Sequence, residues 1–132
     1  MAVARLEKTP IWVKRELAIW ALVVDGGSEV ADFIVQVARD PDAAMDWMKQ
    51  LDEIGRRGHF AGRQWFRKLV GWPDQWEVRR GDHRLMGFWI DDDLILCLHR
   101  LKRKQSTDRR DLERVARLAK EWVQQHGKKV DA

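Results

Sequence analysis

The chain contains no tyrosine, a single cysteine and no apolar run long enough to cross a bilayer as a helix. Without tyrosine no phenol is on hand for proton transfer, and the aromatic mass falls to eight tryptophans and four phenylalanines. Cys97 alone cannot form an intrachain disulfide, and nothing points to an oxidising compartment, so a reduced cytoplasm is the expected setting. The longest apolar run, Leu17 to Val24, is far too short for a membrane span and reads as a buried strand. Arg5, Glu7 and Lys8 interrupt the first ten residues, so no secretory signal and no membrane role are expected. His59, His83, His99, His126 and Cys97 lack ligand spacing, and neither a metal nor another cofactor is expected. Internal repeats, low-complexity stretches and long linkers are also missing.

What is present fits one domain. The 132 residues are 45% hydrophobic, enough for a single core, and the expected domain spans 1–132 with a loose start over 1–10. The charged fraction is 35% and the formal charge +4, which suits a polyanionic ligand but also suits a protein that is merely soluble.

Hydrophobic patterning predicts an α+β fold. Ile11 to Val24 reads as one strand or two short ones, ended by the turn Asp25-Gly26-Gly27. Ser28 then caps a helix whose stripe is Val30, Phe33, Ile34, Val37 and Ala38. Asp40-Pro41 starts a second helix, with Ala44, Trp47, Met48, Leu51 and Ile54 inward and Gly55 and Gly58 as its end. From Arg56 to Trp72 the chain reads as a basic irregular segment. Trp76 to Arg80, His83 to Ile90 and Leu94 to Leu101 form an antiparallel meander, turned at Gly81-Asp82 and Asp91-Asp92-Asp93. A last helix runs from Thr107 or Asp108 to His126, stopped by Gly127, with Leu112, Val115, Ala116, Ala119, Trp122 and Val123 on one face.

Alternation along a strand puts Glu77 and Arg79 on one face and Trp76, Val78 and Arg80 on the other, so only one of the two arginines can face the core side. Arg84 opens the next strand, and the third leads through His99 and Arg100 into Lys102, Arg103 and Lys104. Each of these has two readings. The Lys102–Lys104 run is either a solvated loop or a grip on phosphate. Arg79 either binds phosphate or pairs with Glu77 or with an acid on the closing helix. His99 is either a hydrogen-bonded structural histidine or a proton-transfer group. Cys97, Trp20, Trp47, Trp76 and Trp122 read as core, while Trp65 and Trp72 either cover the core, stack on RNA bases or seat a partner.

The order of elements resembles the RelE/HigB toxin superfamily, and the detail resembles its phage-derived HigB-like branch. Trp76-Glu77-Val78-Arg79 is similar to a Trp-Glu-Leu-Arg strand, His83-Arg84 to an aromatic-Arg pair, Leu98-His99 to a Leu-His strand end and Arg103-Lys104 to a Lys-Lys pair. Asp111-Leu112-Glu113 with Ala116 is similar to the closing helix. The resemblance covers roughly residues 12 to 123. It implies an N-terminal strand, a two-helix hairpin, an antiparallel meander and a C-terminal helix. It also implies a toxin of a type II toxin-antitoxin pair, with an antitoxin of helix-turn-helix type, messenger RNA and the ribosome as partners.

The implied reaction is metal-independent attack of a ribose 2'-hydroxyl on the adjacent phosphate. That needs a base, an acid and cations for the phosphorane. By the resemblance, Arg79 and Arg84 would stabilise the transition state, Lys104 and either His99 or His83 would move protons, and Arg80, His83, Arg100, Lys102 and Arg103 would hold RNA. The tyrosine common among relatives is missing, so its role is empty or has passed to His or Lys. A toxin that blocks a protein such as DNA gyrase, or a prophage remnant that binds only its antitoxin, remains open beside the nuclease. The nuclease in this form requires Arg79, Arg84 and Lys104 to converge on one concave spot, and arginines locked onto buried carboxylates would defeat it.

Overall fold

The computed structural model describes residues 4–14, 17–57, 66–68, 75–101 and 109–127. Along the chain these form β1 (Leu6–Lys14), β2 (Leu17–Val24), α1 (Glu29–Val37), α2 (Pro41–Arg57), β3 (Phe66–Lys68), β4 (Gln75–Arg80), β5 (His83–Ile90), β6 (Asp93–Leu101) and α3 (Arg109–His126). The strands make one mixed sheet in the order β1-β2-β6-β5-β4-β3. Every neighbouring pair is antiparallel except β2 and β6, which run parallel from Ala18↔Asp93 to Ala21↔Leu96. The α+β class, the three helices and the β4-β5-β6 meander therefore match the sequence expectation.

Of the one strand or two short ones read toward Val24, the two hold, as the hairpin β1-β2 in place of the single N-terminal strand that the resemblance implies. Two further expectations are corrected. Leu6 to Pro10, expected to be loose, belong to β1, and Leu6 is buried. The basic segment after the second helix is not irregular throughout: α2 continues through Gly55 to Arg57, and β3 adds an edge strand at Phe66–Lys68. Arg56 and Arg57 lie one turn beyond Asp52 and Glu53 and pair with them, which carries the helix past its glycine.

Local chemistry explains the helix starts. The Ser28 hydroxyl accepts from Ala31 N at 3.1 Å, and Asp40 Oδ1 accepts from Asp42 N and Ala43 N, so each first turn has a side-chain cap. Gly127, at φ 73°, ends α3 in the left-handed conformation that glycine tolerates best.

Both faces of the sheet are covered. On one, Phe33 of α1 and Trp47, Leu51 and Ile54 of α2 pack on Ile19, Trp76, Val78, Leu85, Trp89, Leu94 and Leu96. On the other, Val115, Leu118 and Trp122 of α3 pack on Leu22, Met86, Phe88, Ile95, Cys97 and Leu98. A strand covered on both sides must be apolar throughout, which is why β6 reads Leu-Ile-Leu-Cys-Leu without alternation. Met48, expected in the buried stripe of α2, is 46% exposed. That stripe is narrower than the pattern suggested and follows Trp47, Leu51 and Ile54.

The N-terminal hairpin is fastened to β6 by Asp93. This buried carboxylate accepts from Trp20 Nε1 at 2.9 Å and from Lys8 Nζ at 3.3 Å, and the same ammonium lies 4.1 Å from the Trp20 ring centre. One irregularity positions the rest. Between β5 and β6 the register steps from Met86↔Leu98 to Gly87↔Leu96, leaving Cys97 as a bulge. A Cβ on Gly87 would stand 2.8 Å from Leu96 Cα and closer still to the Ile95 carbonyl, so only glycine fits. Burial pushes the Cys97 thiol well above its ordinary range, and it acts as core.

Candidate functional site

The ends of β4 and β6 and the start of β5 meet at one end of the sheet, where most of the sequence-predicted residues gather. Their register is direct: Arg79 lies opposite Arg84, and Arg84 opposite Arg100, giving one arginine from each strand of the meander in a single row. Like charges facing each other across strands repel, so such a row needs carboxylates close by.

Those carboxylates come from two sides. Glu77, on the same strand face as Arg79, is fully buried and pairs with Arg79 Nε and with Arg84 Nε at 3.4 Å. The side chains of Arg79 and Arg84 are only 11% and 9% exposed. Arg84 Nη1 also donates to the carbonyls of Gly81 and His83 at 3.0 and 3.4 Å, which fixes the guanidinium in the turn. Arg100 is a third exposed. Its Nε donates to Asp111 of α3 at 3.0 Å and its Nη1 to Glu29 of α1 at 2.7 Å, so it ties the two helix layers together around the sheet end. These two carboxylates hold its pKa above the ordinary value against the lowering effect of burial. Arg79 and Arg84 are therefore framework cations, and the expected role of both as open phosphate ligands is corrected. Of the two readings of Arg79, the ion pair with Glu77 holds.

The imidazoles occupy the opposite face. Because the bulge at Cys97 shifts the alternation by one, His99 points to the α1 side while Leu98 and Arg100 point to α3. Phe33 stacks on His99 with centroids 4.0 Å apart and lies 4.9 Å from His83. The edge of Trp47 meets Phe33 at 5.3 Å and His83 at 6.5 Å. His83 Nδ1 and His99 Nε2 are 2.9 Å apart, a direct hydrogen bond between two half-buried rings. β2 pairs β6 only as far as Leu96, and the backbone N–H of His99 donates instead to Glu29 Oε1 at 2.8 Å. Burial, helped by the neighbouring His83 and Arg100, pushes the His99 pKa below 6.5, with Glu29 opposing.

Arg80, opposite His83 in the β4-β5 register, lies on this same face. Its guanidinium reaches α2, with Nη2 2.5 Å from Asp46 and Nη1 3.1 Å from Gln50, and its side chain stays 38% exposed. Lys102, Arg103 and Lys104 lie outside the described residues, as do Trp65 and Trp72. The structure thus brings six predicted residues to one sheet end but divides them: Arg79, Arg84 and Arg100 face α3, while Arg80, His83 and His99 face the helix hairpin.

Sequence reasoning missed Glu77 as the hub of the α3 face. A signal existed, since a carboxylate flanked by Trp76 and Val78 must be paired if it is buried with them. Among the described residues no group of three or more His, Cys, Asp or Glu is placed to hold a metal. No described helix is long and apolar enough to cross a membrane. Comparison of the chain with family models, with curated proteins and with solved structures finds no match in any of the three.

Proposed function

We propose that the protein is a toxin of RelE/HigB type that acts on messenger RNA as a metal-independent endoribonuclease and is held in check by an antitoxin covering the same sheet end. The carrying observation is the half-exposed group of Arg80, His83 and His99 at the mouth of the meander, of which His99 is on the strand that leads into Lys102, Arg103 and Lys104. Imidazole is the side chain best suited to proton transfer near neutral pH, and His99, with its lowered pKa, is available as a base. The basic run would follow the RNA backbone. The form of the nuclease that needs Arg79 and Arg84 on the phosphorane is defeated by their pairing with buried Glu77; in the form proposed they maintain the architecture, and the imidazoles and the basic run carry the chemistry.

A second reading is favoured by that same point. With two guanidiniums committed to Glu77, the sheet end offers less charge for a transition state, which suits a toxin or prophage remnant that binds a protein such as gyrase, or its antitoxin, without cleaving RNA. The two readings separate on induction of the protein followed by mapping of transcript 5' ends. New ends inside coding regions, lost in His99→Gln and Lys104→Ala, support the nuclease. Growth arrest without new ends supports the binder. A neighbouring reading frame encoding a small helix-turn-helix protein is expected in either case.

A further inference from the structure

We infer that His83 and His99 do not act as alternatives but form one catalytic centre: they share one proton and work as a single relay that is a base at one end and an acid at the other. This rests on the nuclease reading above and deepens it.

The geometry comes first. The two ring centres are 5.2 Å apart and the planes differ by 20°. That separation is what the 2.9 Å contact and two ring radii add up to, so the rings lie end to end with the lone pair of one aimed at the other. Such a bond needs one nitrogen to donate and the other to accept, so the two rings cannot both be charged while it lasts.

In the neutral pair two tautomers are possible. If His83 Nδ1 carries the shared hydrogen, His83 Nε2 is a free base and His99 Nδ1–H an acid. If His99 Nε2 carries it, the ends exchange roles. Either way the outer nitrogens form one base and one acid, which is what internal phosphoryl transfer requires.

The step balances. With the shared hydrogen on His99 Nε2, the 2'-oxygen forms a bond to phosphorus as its proton passes to His99 Nδ1. The shared proton crosses from His99 Nε2 to His83 Nδ1. The proton on His83 Nε2 passes to the 5'-oxygen as its bond to phosphorus breaks. The products are a 2',3'-cyclic phosphate and a free 5'-hydroxyl, and the pair is left in its other tautomer, which exchange with solvent resets. A tyrosine is not needed.

The surroundings hold the pair without replacing it. Phe33 of α1 stacks on the rings, Trp47 of α2 meets His83 edge-on, and Glu29 of α1 fixes the His99 backbone. Among the described residues the charged groups around the pair are Glu29 on α1, Asp46 on α2, Arg80 on β4 and Arg100 on β6, each tied to a named partner. No other side chain among the described residues is hydrogen-bonded to the ring of His83 or His99, so none of them occupies either outer nitrogen.

The test combines nitrogen-detected NMR titration of the histidines with 5'-end mapping for wild type, His83→Gln and His99→Gln. In wild type the two rings are expected to titrate in two separated steps, and in His83→Gln the remaining His99 in one step nearer to 6.5. Both variants are expected to lose cleavage by on the order of 100-fold or more. Two independent titrations at ordinary values in wild type overturn the shared proton even if a variant fails to fold. A folded His83→Gln that cleaves like wild type overturns the relay and leaves the nuclease reading intact. A folded wild type that produces no new ends defeats the nuclease reading and the catalytic use of the pair with it, whatever the titration shows.

Discussion

The two faces of the sheet end carry similar side chains under opposite conditions. Toward α3, two arginines and Glu77 are largely shielded from water, and removing the carboxylate leaves two guanidiniums without the group they share. Toward α1 and α2, His83, His99 and Arg80 are half exposed, the two imidazoles hydrogen-bonded to each other and Arg80 paired with Asp46. Buried ion pairs of the first kind fix a geometry and are poorly placed for a reaction that changes charge. Half-exposed imidazoles can gain and lose protons at little cost to the fold. The difference teaches that a count of cations near a strand end says little about function until the burial of each is known.

The comparison breaks most decisively at Glu77. Glu77→Gln leaves the Arg79 and Arg84 guanidiniums without this carboxylate, and the expected loss is about 3–5 kcal/mol of stability, read by chemical denaturation. Next comes the bulge that separates the faces. Gly87→Ala drives a Cβ into the backbone of β6 and is expected to cost about 3 kcal/mol, seen as a lower Tm. Asp111→Asn tests the half-open edge between the faces: Arg100 is a third exposed and keeps Glu29, so the expected loss is about 1 kcal/mol.

The smallest effect is a pH dependence from the helix-hairpin face. His99 binds its proton less readily folded than unfolded, so its contribution is fully present above 6.5 and is lost as pH falls below that value toward the lower folded pKa. Stability should decline on acidification from pH 6.5, and His99→Gln should flatten that decline. A profile unchanged by the substitution would place the titration elsewhere.

Much of the fold was legible. β2 and β5 begin and end where the apolar pattern and the turn residues placed them, and the caps Ser28 and Asp40 behave as their chemistry predicts. The parallel pairing of β2 with β6 was not legible, because it joins segments some 75 residues apart and leaves no local signal. The site was legible as a set of residues but not as an arrangement. Alternation separated Arg79 from Arg80 correctly, yet it could not show that α3 covers the Arg79 face, nor that Arg84 would share Glu77. His99 escaped for a different reason: counting residues along β6 from Ile95 assigns it to the α3 face, and only the skipped position at Cys97 reverses that.

That skipped position means that residue number, rather than residue type, decides which chemistry each face receives. Deleting Cys97 would remove the bulge and set Leu98 directly after Leu96, so strict alternation would return with the imidazole still above Phe33 and Arg100 still beneath α3. Straightening the strand with Cys97 retained would instead exchange the outlooks of the two residues that follow Leu98 and send the imidazole to the row of guanidiniums. A one-residue slip of register in β6, with every functional side chain still present, is thus enough to dismantle the His83–His99 contact.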